Sequence, residues 1–246
     1  MTHAVSSSAG CRVAIIVALS VEQASLRRLA QAAVGDLSVT QSGPGPQRAA
    51  DNARAALAAG AGALVSWGLA GGVHLRLGSG TVVLPRRVRA ADGAVYPVHR
   101  EWRAVIAAAL HGEIPVDEGD LLSVAEPLVT PAAKSAAAAL GVVAVDMESA
   151  AVAAVAARAR VPFIALRVVV DTATDVLPPA AVAWVDARGD RRFGAALAAA
   201  VRPLQWRALW ILAKRYRAAS RALERAAVLT AASRVLVAPA ATGRAG

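Results

Sequence analysis

Short β-branched runs alternate with alanine-rich stretches along most of this chain, the pattern of parallel strands joined by helices. Apolar runs predict strands at residues 13–19, 63–67, 81–84, 121–124, 142–145 and 163–170. Helical periodicity predicts helices at 22–32, 47–59, 102–110, 132–140, 148–159 and 191–201. Gly43-Pro44-Gly45-Pro46, residues 68–72 and Pro178-Pro179 read as loops between them, and no internal repeat is present. The expectation is an α/β fold in three layers, with a central, mostly parallel twisted sheet flanked by helices. One domain spans residues 12–200 and a basic helical tail follows at 201–246.

In sheets of this kind ligands bind outside the carboxyl ends of the strands. The residues just beyond predicted strands are Ser20 to Glu22, residues 68–72, Asp146-Met147-Glu148, and Asp171. Each carboxylate also has an ordinary reading: Glu22 suits the first turn of a helix, where the dipole favours an acid, and Asp146 suits a helix N-cap. Asp171 is harder to explain structurally, because it ends the nearly unbroken apolar run 163–170 and is followed by Thr172-Ala173-Thr174-Asp175.

Composition narrows the options. Hydrophobic residues make up 57% of the 246 and aromatics 4%, so the core is built mainly of Ala, Val and Leu. A single cysteine, Cys11, excludes a disulfide framework, and His3, His74, His99 and His111 lack metal-ligand spacing. Ser8-Ala9-Gly10-Cys11 resembles a lipoprotein cleavage box, but the apolar run follows the cysteine, the wrong order for a signal peptide. Glu148, Arg158, Arg160 and Arg167 interrupt the most apolar region, so no stretch reaches the roughly 18–20 apolar residues that span a bilayer. A cytoplasmic protein is expected, with peripheral attachment as the only membrane option. Arg86-Arg87-Val88-Arg89 reads as a solvated surface segment.

The net charge of +10 is unevenly placed: residues 1–200 hold 18 Lys and Arg against 16 Asp and Glu, and residues 201–246 hold 9 against Glu224 alone. The basic character therefore belongs to the tail. With no basic groove in the body, nucleic acid is not an expected partner.

Val145-Asp146-Met147-Glu148-Ser149-Ala150-Ala151, then Val161-Pro162-Phe163, then Arg167-Val168-Val169-Val170-Asp171 stand in one order over residues 145–171. The series resembles the signature of the purine nucleoside phosphorylase and methylthioadenosine/adenosylhomocysteine nucleosidase superfamily. Residues 13–19 with Glu22 are similar to that family's first strand and catalytic glutamate, and Gly68-Leu69-Ala70-Gly71-Gly72 to its second glycine segment. The resemblance implies a phosphorylase/hydrolase-like fold and cleavage of a purine N-glycosidic bond. A purine leaves poorly as an anion, so a carboxyl group at N7 lowers the barrier while the ribosyl centre becomes oxocarbenium-like. By position that acid is Asp171. Glu148 corresponds to the residue holding the ribose hydroxyls, Met147 to the one packing under the ribose, and Glu22 to the glutamate that orients or deprotonates attacking water. Asp146, Gly71 and Leu69 are the other implied substrate-binding positions. Neither metal nor organic cofactor is implied, and a homo-oligomer is.

The nucleophile is water or phosphate. Glycines let backbone N–H groups approach an anion, but many phosphorylases begin this segment with arginine and place a serine after the glycine. Those positions are Ser66 and Leu69 here. Arg48, beside the first Gly/Pro loop, is the substitute cation if phosphate is a co-substrate.

Beyond residue 201 the sequence turns to Arg202-Pro203-Leu204-Gln205-Trp206-Arg207-Ala208-Leu209-Trp210-Ile211-Leu212, then Lys214, Arg215, Tyr216, Arg217 and Arg221. On a helical wheel Arg207, Lys214 and Arg221 share one face, Leu209, Leu212, Tyr216 and Leu223 lie roughly opposite, and Trp206 and Trp210 flank the basic face. Such a helix packs on the domain, or lies at a membrane surface with its tryptophans at headgroup level. A nucleosidase-like body with this tail is similar to the hopanoid-associated phosphorylases, which implies release of adenine from adenosylhopane. The alternatives are an ordinary methylthioadenosine/adenosylhomocysteine nucleosidase and a catalytically silent nucleoside-binding protein.

Overall fold

The computed structural model describes residues 12–27, 37–177, 203–233 and 235–236. Its axis is β3 (Ala63–Gly72), which takes parallel β1 (Val13–Val17) on one side and parallel β10 (Phe163–Val169) on the other. All five residues of β1 and all seven of β10 are buried. That explains why both are unbroken apolar runs rather than alternating ones: each is covered on both faces. At its carboxyl end β3 changes neighbours, pairing Gly71 and Gly72 antiparallel with β9 (Val142–Asp146).

Among the described residues the sheet has ten strands. From β9 it continues through β8 (Asp120–Ser123) and β5 (Arg87–Ala90) to β6 (Val95–Pro97). From β10 it continues through β4 (Val82–Val83) to β7 (Val116–Asp117), and β2 (Leu37–Gln41) lies outside β1. The β10–β4, β3–β9 and β5–β6 pairings are antiparallel and the other six are parallel.

The helices are α1 (Ser20–Ser25), α2 (Pro46–Ala58), α3 (Arg100–Leu110), α4 (Pro131–Ala138), α5 (Ser149–Ala159) and α6 (Pro203–Ala232). α2 and α5 pack on each other and on β3 or β1 through alanine faces such as Ala49, Ala53, Ala153 and Ala156. Ser20–Ser25 is shorter than the helix expected over 22–32, whose end lies outside the described residues, as does the helix expected at 191–201.

Two sequence expectations are corrected. Residues 68–72 are not a loop but the end of β3, hydrogen-bonded to both β10 and β9. Arg86-Arg87-Val88-Arg89 is exposed at Arg86 and Arg87 but is not merely solvated: three of its residues begin β5, Val88 is fully buried, and Arg87 and Arg89 pair with the buried Asp120. One apolar residue between charged neighbours is too short a pattern to reveal a strand whose charges have partners 31 to 33 residues away.

The described part of the chain beyond residue 200, set apart by its charge, packs on the same core. Ala219, Leu223, Ala226, Ala227 and Thr230 of α6 are buried, and the helix packs on α1, α3, β3 and β10. The Trp102 indole donates to the Val235 carbonyl at 2.7 Å, and Val235 and Leu236 are buried beyond the helix.

Candidate active site

Glu22, Glu148 and Asp171 stand just beyond β1, β9 and β10, three strands that all border β3. The chain turns from β1 into α1, and Glu22 reaches back to accept the N–H groups of Ala18 (2.8 Å) and Leu19 (2.9 Å). Its other oxygen accepts the N–H of Leu69 at 2.8 Å. The ordinary first-turn role and a position at the centre of the fold are thus combined. Burial pushes its carboxyl above the usual range, against the pull of Arg167 and of the three backbone donors.

Gly68 makes this approach possible. A Cβ there would collide with Glu22 and with the Arg167 guanidinium, so a side chain cannot be added without displacing both of them. At Gly71 the fit is looser, since a Cβ there would stand 3.4 Å from both Asp171 carboxylate oxygens, an ordinary contact distance.

Arg167 is the cation on which the site is built. It is 1% exposed, near the middle of an apolar strand. It pairs with Asp146 at 2.7 Å, lies 3.9 Å from Glu148, and donates to the hydroxyls of Ser66 (2.7 Å) and Ser149 (3.2 Å). Asp146 is used up within the protein, accepting also from Ser123 Oγ (2.5 Å) and the Ser149 N–H (3.0 Å) at the start of α5. Glu148 accepts the Gly45 N–H at 2.9 Å, which ties the first Gly/Pro loop to the site. One guanidinium faces three acids, Asp146, Glu148 and Glu22. Burial, opposed by Arg167 and aided by Asp146 and Glu22, raises the Glu148 carboxyl to about 7.

That value carries a test. A carboxylate is a stronger acceptor for sugar hydroxyls than its acid, so kcat/KM for a riboside should rise as pH increases through about 7. Glu148→Gln should remove this limb and reduce discrimination between ribosides and 2′-deoxyribosides. An unchanged limb in the variant detaches Glu148 from the ribose.

Asp171 is held by a residue without a sequence signal. Lys134 of α4 is fully buried; its ammonium pairs with Asp171 Oδ2 and donates to the carbonyls of Thr172 (2.8 Å) and Asp175 (3.1 Å). In sequence Lys134 stands among alanines on a short helix and reads as a surface charge. Of the remaining candidates, Met147 and Leu69 are half-buried between Glu148 and Asp146 and beside Gly68 respectively. Arg48 is exposed on α2 and bonds the Pro44 carbonyl at 3.3 Å. His99 caps α3 by accepting the Trp102 N–H, and His74 accepts the Arg76 N–H. A separate surface hollow lined by His111, Glu113, Ile114 and Glu118 contains none of the candidate residues.

The sequence profile described as Phosphorylase superfamily matches residues 20–202. No curated protein matches the chain by sequence. Among solved structures, the 5′-methylthioadenosine/S-adenosylhomocysteine nucleosidase of Campylobacter jejuni superposes with a TM-score of 0.68 at 15% identity, over 92% of this chain and 99% of that one. Futalosine hydrolase of Helicobacter pylori gives 0.66 at 16% identity, over 94% and 99%. The S-adenosylhomocysteine nucleosidase of Streptococcus pyogenes gives 0.59 at 23% identity, over 68% and 86%. With the family profile covering most of its length and the signature acids gathered beyond adjoining strands, the chain belongs to the phosphorylase superfamily.

Proposed function

We propose that this enzyme hydrolyses the N-glycosidic bond of an adenosine derivative, releasing adenine. The reading rests on one observation: three buried acids stand beyond strands that all border β3, with Glu22 against Gly68, Asp171 against Gly71, and Glu148 facing the same Arg167 as Glu22. Asp171 serves as the acid at the purine, Glu148 and Met147 hold the ribose, and Glu22 activates the nucleophile. Asp146 supports this set through Arg167. The nucleosidases among its structural neighbours favour the same class of reaction.

Water is favoured over phosphate. The Leu69 N–H of the glycine segment is taken by Glu22, and the Ser66 hydroxyl is engaged by Arg167 and Ser149, so both are occupied within the protein. Adenine release should persist in phosphate-free buffer with free ribose as the sugar product; strict phosphate dependence overturns this and turns attention to Arg48.

For the 5′ substituent we favour a large apolar group, as in adenosylhopane, acted on at a membrane surface. Trp210 is 66% exposed with the Lys214 ammonium 5.8 Å from its ring, and Ile211, Arg217 and Arg221 are exposed on the same helix. Rings at headgroup level and cations on anionic lipid suit such attachment. Truncating the tail does not isolate this function. Burying one Leu or Val is worth roughly 1.5–3 kcal/mol, so losing Leu223, Val235 and Leu236 rivals the stability of a whole domain, about 5–15 kcal/mol. Trp210→Ser with Arg217→Glu spares the buried face. This variant should sediment less with anionic vesicles while cleaving a small soluble nucleoside normally. Equal sedimentation, or a preference for a small 5′-thioether nucleoside over a lipid-linked one, favours an ordinary methylthioadenosine/adenosylhomocysteine nucleosidase. Absence of turnover on every adenosine derivative favours a binding protein.

A further inference from the structure

We propose that the C-terminal helix supplies a positioning residue, Arg215, that works with Lys134 to clamp the turn carrying Asp171; the inference rests on Asp171 being the acid at the purine. The turn 171–175 is short and tightly bonded. The Asp175 N–H donates to the Thr172 carbonyl at 3.1 Å, and Asp175 Oδ2 accepts both the Thr172 N–H (2.7 Å) and its hydroxyl (2.8 Å). Lys134 grips this turn from the buried side through the Asp171 carboxylate and two carbonyls. Arg215 grips it from the other element: its guanidinium donates to Thr172 Oγ1 at 3.0 Å and pairs with the Asp175 carboxylate.

The helix is fixed where this matters. Ser79 Oγ donates to the Arg215 carbonyl at 3.0 Å, and Gly80 runs close to Ala218 and Ala222. Arg215 is not needed to dock the helix, because the buried face is formed by Ala219, Leu223, Ala226 and Ala227. The pair is partly buried, with side chains 28% and 20% exposed, so losing it costs less stability than losing a fully buried pair such as Arg167–Asp146. Both its partners, however, lie within four residues of the acid. A misplacement of about 1 Å at a reacting group costs up to about 10²-fold in rate, so the cation has far more leverage on turnover than on folding.

The experiment compares Arg215→Met, Arg215→Lys and Thr172→Val in the full chain, each alone and with Asp171→Asn, by kcat, KM and Tm. Arg215→Met and Thr172→Val should each lower kcat about tenfold, within that range, with KM and Tm nearly unchanged, and Arg215→Lys should recover part of the loss. In the Asp171→Asn background Arg215→Met should have no further effect, since the group it positions is gone. Normal kcat in Arg215→Met, equal fractional losses with and without Asp171, or a fall in Tm that accounts for the loss would overturn the clamp. If Asp171→Asn itself keeps full kcat, the assignment of Asp171 fails, which is separate from a failure of Arg215 alone.

Discussion

Asp171→Asn is expected to lower kcat by about 10²- to 10⁴-fold, the usual worth of general acid catalysis, while KM changes little. The amide preserves the shape beside Gly71 but cannot deliver a proton to the purine. Lys134 sharpens this expectation. Its ammonium pairs with Oδ2 and fixes the orientation of the side chain. In the variant that cation faces an amide oxygen, so Tm should fall as well, and the two effects can be separated by assaying well below the melting range. Near wild-type kcat in the folded variant removes Asp171 from the chemistry.

The largest effect on stability is expected at Arg167. Replacing it with Met keeps approximate length and apolar packing in β10 but leaves Asp146, buried at 1% side-chain exposure, without its counter-ion and Glu148 without its nearest cation. Breaking a buried pair by removing one partner costs about 3–5 kcal/mol. The hydroxyls of Ser66 and Ser149 would also lose their shared donor. Chemical denaturation should show the loss, and it should shrink in acid, where the stranded carboxylates take up protons. A loss of under about 1 kcal/mol, the scale of an exposed ion pair, would mean that Arg167 is not the keystone. Gly68 gives a qualitative check on the same network, since Gly68→Ala places a methyl where Glu22 and Arg167 already stand.

The alternation of apolar runs with alanine-rich helical stretches was enough to reveal an α/β sheet, because β1, β9 and β10 are long, doubly covered and locally unambiguous. The acids at the strand ends were visible for the same reason: once a buried strand is recognised, the residue that follows it is located. The strand expected at 81–84 holds β4, but β5, β6 and β7 have two to four residues each, too few for a period to show. Glycines 68, 71 and 72 read as a turn because glycine marks many turns. Their use here is to admit neighbouring side chains and backbone against an extended strand, which depends on what lies beside them.

The sequence by itself determined the fold class, the family signature over residues 145–171 and the positions of Glu22, Glu148 and Asp171 relative to their strands, since all of these follow from local pattern. Tertiary structure alone decided the partners. It placed Arg167 among Asp146, Glu148 and Glu22, brought Lys134 to an acid 37 residues away, and set Arg215 of a helix distinguished by its charge against the turn behind that acid. Charge and burial act through space, so the chemistry of a carboxylate is set by whichever cation the fold delivers to it, and distance along the chain carries no record of that.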